Sequence, residues 1–131
     1  MTEVVEKFAR QYPRVRRIPF VHDSGQLADW YRAADLLIHP GRWETFGLVL
    51  LEAQGCGLPT VAFQGGAMDE QAAHLSDWSK ERTSGGLAQA VVHKMRNLRE
   101  VDRDRAADFV KSNFSWERTF SRQMQVYADG R

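Results

Sequence analysis

A chain of 131 residues that is 43% hydrophobic and 27% charged has the mixture of one globular domain, here expected to span residues 1–131. Eighteen Lys and Arg against seventeen Asp and Glu leave a formal charge of +1, too little to draw the chain to nucleic acid. A lone cysteine, Cys56, excludes an internal disulfide and fits a reducing compartment.

In chain order, Val4, Val5 and Phe8 mark a short helix that Pro13 ends. Val15 to Val21 reads as a strand and His22-Asp-Ser-Gly25 as a turn. From Gln26 to Ala34, Leu27, Trp30, Tyr31 and Ala34 fall at i, i+3, i+4 and i+7, one face of an amphipathic helix. Leu36-Leu-Ile-His39 is a short buried strand stopped by Pro40, and residues 40 to 45 form a loop. A helix is expected from about Phe46 to Gln54, ended by Gly55 and Gly57, then a strand from Thr60 to Phe63 ended by Gly65-Gly66. Beyond Gly66 the chain reads as helical, with candidates at Asp69–Leu75, Leu87–Leu98, Asp102–Lys111 and Trp116–Tyr127, the last capped by Ser115. Ser76 to Gly86 is polar and carries no clear period.

Strands alternating with helices across short connections predict an α/β fold. The expected form is a partial Rossmann-like three-layer domain, with a short parallel sheet of about three strands and a helical C-terminal part. The N-terminus lacks a basic region followed by an apolar core. The longest apolar runs fall far below the ~20 residues that cross a bilayer. A soluble, cytoplasmic protein is expected; contact with a membrane surface stays open, with no feature pointing to it.

Two carboxylates stand out. Glu44 lies in the loop after the second apolar run, and Glu52 lies in an almost wholly apolar helical stretch, with seven residues between them. A carboxylate among apolar neighbours needs a partner. In parallel sheets, ligands bind beyond the carboxyl ends of the strands, where residues 40–45 are expected. The following helix would begin near Phe46 and Gly47, offering free amides and a dipole to a phosphate. Eight positions at ~1.5 Å each cover roughly 12 Å, about the span of a nucleotide sugar from ribose to sugar. The bland alternative is a solvated Glu44 and a Glu52 paired with Arg42 or another cation. Trp43 stands where it can stack on a ligand or pack over the loop. His39 ends its strand either lining the site or as a structural histidine. Asp69 and Glu70 meet a sugar hydroxyl or cap a helix. The four histidines, His22, His39, His74 and His93, have no metal-ligand spacing. Trp30, Tyr31 and Phe120 read as helical-face core residues, and the run of charges from Arg96 to Arg105 as a solvated face.

The segment Ala34-Asp-Leu-Leu-Ile-His-Pro-Gly-Arg-Trp-Glu-Thr-Phe-Gly-Leu-Val-Leu-Leu-Glu-Ala53, with Cys56-Gly-Leu-Pro-Thr-Val-Ala62 and Gly65-Gly66, resembles the core motif of the family 4 retaining glycosyltransferases of GT-B fold. The resemblance is dense over residues 15 to 66 and returns at Asn113-Phe-Ser-Trp-Glu117. It implies two Rossmann-like domains across a cleft, of which this chain resembles the second half of the C-terminal, donor-binding domain. The donor would be a nucleotide-diphosphate sugar, with no metal and no other cofactor. Glu44 matches the glutamate that contacts the donor sugar and is the candidate catalytic residue. Glu52 matches the one that holds the ribose hydroxyls. Phe46, Gly47 and Leu48 match the segment that meets the diphosphate, and the stretch Val21 to Gly25 lies where the family passes the base. The family's acceptor domain and the arginine and lysine that neutralise the diphosphate have no counterpart in this chain, so the isolated chain is expected to be inactive. The alternative is a non-catalytic module that binds nucleotide or a partner. A strand at 15–21 without its neighbour would be an open edge, which predicts a homo-oligomer or a partner supplying the missing part.

Overall fold

A computed structural model describes residues 2–65, 76–98 and 101–130. Two helices come first, α1 (Thr2–Gln11) and α2 (Ser24–Ala33), then β1 (Leu37–His39), α3 (Leu48–Gly55), β2 (Thr60–Phe63) and β3 (Ser76–Ser79). Three helices complete the chain: α4 (Ser84–Arg96), α5 (Val101–Asn113) and α6 (Trp116–Asp129).

The three strands form one parallel sheet in the order β1-β2-β3. Ile38 pairs with Val61, and Ala62 with Trp78. Central β2 is buried along its whole length, which is why Thr-Val-Ala-Phe is apolar without alternation. Its side chains divide between two layers. Ala62 packs with Leu50 of α3, joined by Leu37 and Trp78. On the other face Val61 and Phe63 pack with Leu87 of α4, joined by Leu36, Ala90 and Val91. Helix, sheet and helix thus make the expected three-layer α/β arrangement.

The helix ends follow local chemistry. Asp23 caps α2 by accepting from the Gln26 amide at 2.6 Å, Thr83 caps α4 through the Gly86 amide, and Ser115 caps α6 through the Arg118 amide. Helix α3 closes with a Schellman pair of bonds, Gly57 N–H to the Gln54 carbonyl and Leu58 N–H to the Ala53 carbonyl. That turn delivers Leu58 and Pro59 straight into β2. Because Leu50, Leu51, Ala53 and Gln54 are all buried, α3 is clasped between the sheet and α5.

Two expectations for the sheet change. Residues 15–21 form no strand and pair with none, and Phe20 is 82% exposed. No described strand lies beyond β1 to supply their ladder. The third strand is instead Ser76–Ser79, within the polar stretch that showed no period. Its hydrogen bonds come from β2, and Asp77 on it meets Lys94 of α4 at 3.6 Å and His93 at 3.1 Å. The helix expected at Asp69–Leu75 lies outside the described residues. Trp30 and Phe120, expected in the core, are half-exposed.

Candidate functional site

The carboxyl ends of β1, β2 and β3 open into three neighbouring loops: residues 40–47, Gln64 with Gly65, and residues 80–83. The loop of residues 40–45 lies at this edge of the sheet, beyond β1. Gly47 is the N-cap of α3, buried, with φ 78° and ψ 36°. This left-handed conformation costs an L-residue roughly 1–2 kcal/mol, so glycine is what lets the loop turn directly into the helix. The Gly47 carbonyl accepts from the Leu50 and Leu51 amides, and no side chain caps the helix start. Phe46, Leu48 and Val49 are partly exposed around it. An uncapped helix start with an exposed approach is the arrangement that suits an anionic group.

Glu52 lies one turn further along α3. It is exposed, so its place in an apolar helix does not bury its charge. Among the described residues its partner is neither Arg42 nor another cation but Tyr31, whose hydroxyl donates to Oε2 at 3.1 Å. Burial, and then the Glu52 charge and hydrogen bond, push the Tyr31 phenol up to about 12. The phenol therefore stays a donor and fixes one carboxylate oxygen, leaving the other free to accept hydroxyl protons. Two cavities flank Glu52. One, of about 270 Å³, is lined by Ser24, Leu27, Tyr31 and Cys56. The other, of about 440 Å³, is apolar and runs past Phe46, Leu48, Val110 and Trp116. Tyr31 is the residue that sequence reading missed. Its helical spacing gave a core role, and nothing local signals a contact across 21 positions.

Glu44 is held differently. Its Oε2 lies 3.4 Å from Nε2 of His39, both side chains being partly buried. The approach is close but not aligned: Nε2 is shielded from solvent and makes no hydrogen bond among the described residues. It lies under Gly41, where a Cβ would come within 2.5 Å of it. His39 is thus next to Glu44, as a site-lining residue would be. Arg42 donates to the Arg82 carbonyl at 2.9 Å. Trp43 is 88% exposed rather than packed over the loop, with the Arg82 guanidinium 5.7 Å from its ring centroid. Along the chain, Phe46, Gly47 and Leu48 stand between Glu44 on the loop and Glu52, which a hydrogen bond fixes on the helix. Asp69 and Glu70 lie outside the described residues. Among the described residues, no three His, Cys, Asp or Glu side chains converge as a metal site would require. No described helix is long and apolar enough to cross a membrane.

The family model for glycosyl transferases group 1 matches residues 2–97. The chain belongs to that family. It is 34% identical over 110 residues to a D-inositol 3-phosphate glycosyltransferase of Arthrobacter sp. (strain FB24), covering 80% of this chain and 26% of that protein. Over 54 residues it is 52% identical to the lipopolysaccharide core biosynthesis mannosyltransferase LpsB of Rhizobium meliloti (strain 1021), covering 41% of this chain and 15% of that one. Its fold is similar to part of sucrose-phosphate synthase from Thermosynechococcus elongatus, with TM-score 0.72 and 26% identity, over 97% of this chain and 33% of the synthase. The chain thus has the fold of part of a GT-B glycosyltransferase, and spans about a quarter of the first of these relatives.

Proposed function

We propose that residues 1–131 form the second half of the donor-binding domain of a retaining, nucleotide-sugar-dependent glycosyltransferase. The observation that supports this reading is the order loop Glu44, left-handed Gly47 at the start of α3, then Glu52 on α3, with Tyr31 bonded to the last. Glu52 accepts from the ribose hydroxyls through the oxygen that Tyr31 leaves free. The diphosphate lies against the amides at the start of α3, beside Phe46, Gly47 and Leu48. The base enters the cavity lined by Ser24 and Leu27, next to the Val21–Gly25 stretch. Glu44 faces the sugar, with His39 beside it.

The chemistry suits these places. Transfer breaks the bond between the anomeric carbon and the phosphate oxygen and forms one to the acceptor oxygen, whose hydroxyl proton passes to the departing diphosphate. Negative charge develops on the departing nucleoside diphosphate, where a fixed helix N-terminus stabilises it. Positive charge develops on the sugar, where the Glu44 carboxylate both orients and offsets it. The surface that binds the acceptor, and the cations that complete diphosphate neutralisation, are supplied by a partner portion. Transfer therefore requires a partner portion, and the isolated chain binds donor without turning it over.

Titration with UDP-, GDP- and ADP-glucose and GDP-mannose, followed by amide NMR, tests the reading. Binding of one of them with shifts concentrated at Gly47, Leu48 and Val49 is expected. No binding by any of the four, or shifts confined to α6, would overturn it.

A further inference from the structure

The loop that carries Glu44 has no secondary structure and little burial of its own: Arg42, Trp43, Thr45 and Phe46 are all exposed. Its position depends on what it touches, and most of that leads to one side chain. Arg82 follows β3. Its Nε and Nη2 both donate to the Gln64 carbonyl, at 3.3 and 3.0 Å, tying the loop after β3 to the one after β2. Its guanidinium lies over the Trp43 ring, and its own carbonyl accepts from Arg42. Backbone and side chain of one residue thus grip both residues that precede Glu44. The fit extends to Gly65, where a Cβ would collide with Arg82 Nη2. A side chain at residue 65 would displace the guanidinium from this place.

We propose that Arg82 is a positioning residue that latches residues 40–46 against the ends of β2 and β3, and so sets where Glu44 meets the glycosyl group of the donor. The second half of this statement rests on the donor-site reading above. Arginine suits the task because one planar group bonds a carbonyl by its edge and an indole by its face. A lysine supplies a point charge that cannot do both at once. The latch acts on the sugar end of the site and leaves Tyr31 and Glu52 untouched, so its loss has a directional signature.

The test uses the full chain with Arg82→Gln and Arg82→Lys. Hydrogen–deuterium exchange across residues 40–47 should quicken about 3–10-fold in Arg82→Gln, the size expected for losing an exposed cation–π contact with its hydrogen bonds. Exchange in α2 and α3 should stay unchanged, and Arg82→Lys should recover only part of the protection. Unchanged exchange across 40–47 in Arg82→Gln overturns the latch. In the second arm, Arg82→Gln should weaken binding of the nucleoside diphosphate sugar among the four probes, while affinity for the matching nucleoside diphosphate stays the same. Equal weakening of both overturns the positioning role, because a general structural defect does not separate sugar from nucleotide. A wild-type chain that binds none of the probes overturns the donor-site reading and the sugar half of the proposal, whereas the latch is decided by the exchange data alone.

Discussion

Glu52 sits on a helix whose flanking residues, Leu51 and Ala53, are buried between sheet and α5, and one aligned hydrogen bond from Tyr31 fixes its carboxylate. Glu44 sits on an exposed loop, 3.4 Å from His39 without alignment, its neighbours held by side chains from other loops. The first carboxylate moves only if the core moves, and the second moves if a few surface contacts change. In the proposed site that division has a use. UDP-, GDP- and ADP-sugars share the same ribose, so a rigid acceptor serves all three. Sugars differ, and a loop anchored by replaceable contacts can be retuned without disturbing the nucleotide end.

Four variants sharpen or break this contrast. Glu52→Ala should have the largest effect, weakening both nucleoside diphosphate and nucleotide sugar about 10–100-fold, the size of losing hydrogen bonds to a charged acceptor. Calorimetric titration measures it, and a loss confined to the sugar nucleotide would put Glu52 at the wrong end. Gly47→Ala should lower stability by about 1–2 kcal/mol, because alanine strains at φ 78°. An unmoved urea midpoint would mean that the helix start tolerates a side chain and is not built as described. Tyr31→Phe should weaken nucleotide binding by about 3–10-fold, the net worth of one hydrogen bond, without changing the ratio of sugar nucleotide to nucleotide.

Tyr31→Phe also has a pH signature. The folded phenol titrates near 12 instead of near 10, so the unfolded chain loses its proton first as pH rises. The stability that the protonated phenol contributes is fully present below pH 10 and is lost as pH rises through 12. Denaturant midpoints of wild type and Tyr31→Phe should therefore converge across that window. Parallel pH profiles would contradict the Tyr31–Glu52 bond. The smallest effect expected is from Trp43→Leu, which removes only the exposed face that Arg82 covers, worth about 0.5–1 kcal/mol of loop anchoring. Amide exchange across residues 40–47 reads it, and a change spreading into α3 would show that the two ends are not independent.

What the sequence made legible follows from where burial is local. Residues 36–63 hold the central strand, the helix clasped on it and the glycine turns between, so apolar runs and breakers mark them directly. Val15 to Val21 looked like a strand because its side chains suit one, yet a strand needs a partner ladder and no described strand provides it. Ser76-Asp-Trp-Ser79 carried no assignment because its composition is polar; pairing with β2 and the Asp77 contacts to His93 and Lys94 make it a strand. Glu44 and Glu52 were visible through spacing and setting. Tyr31 and Arg82, which hold or frame them, were not, because each acts across distant positions and neither carries a local pattern.

In the proposed site Glu44 and Glu52 serve opposite ends of one ligand, and a paired titration separates the two ends. The nucleoside diphosphate and its sugar conjugate are each titrated into wild type, Glu44→Ala and Glu52→Ala. Glu44→Ala should weaken the conjugate alone, and Glu52→Ala should weaken both alike. Equal losses for both ligands in Glu44→Ala, or no loss for either in Glu52→Ala, would contradict that division.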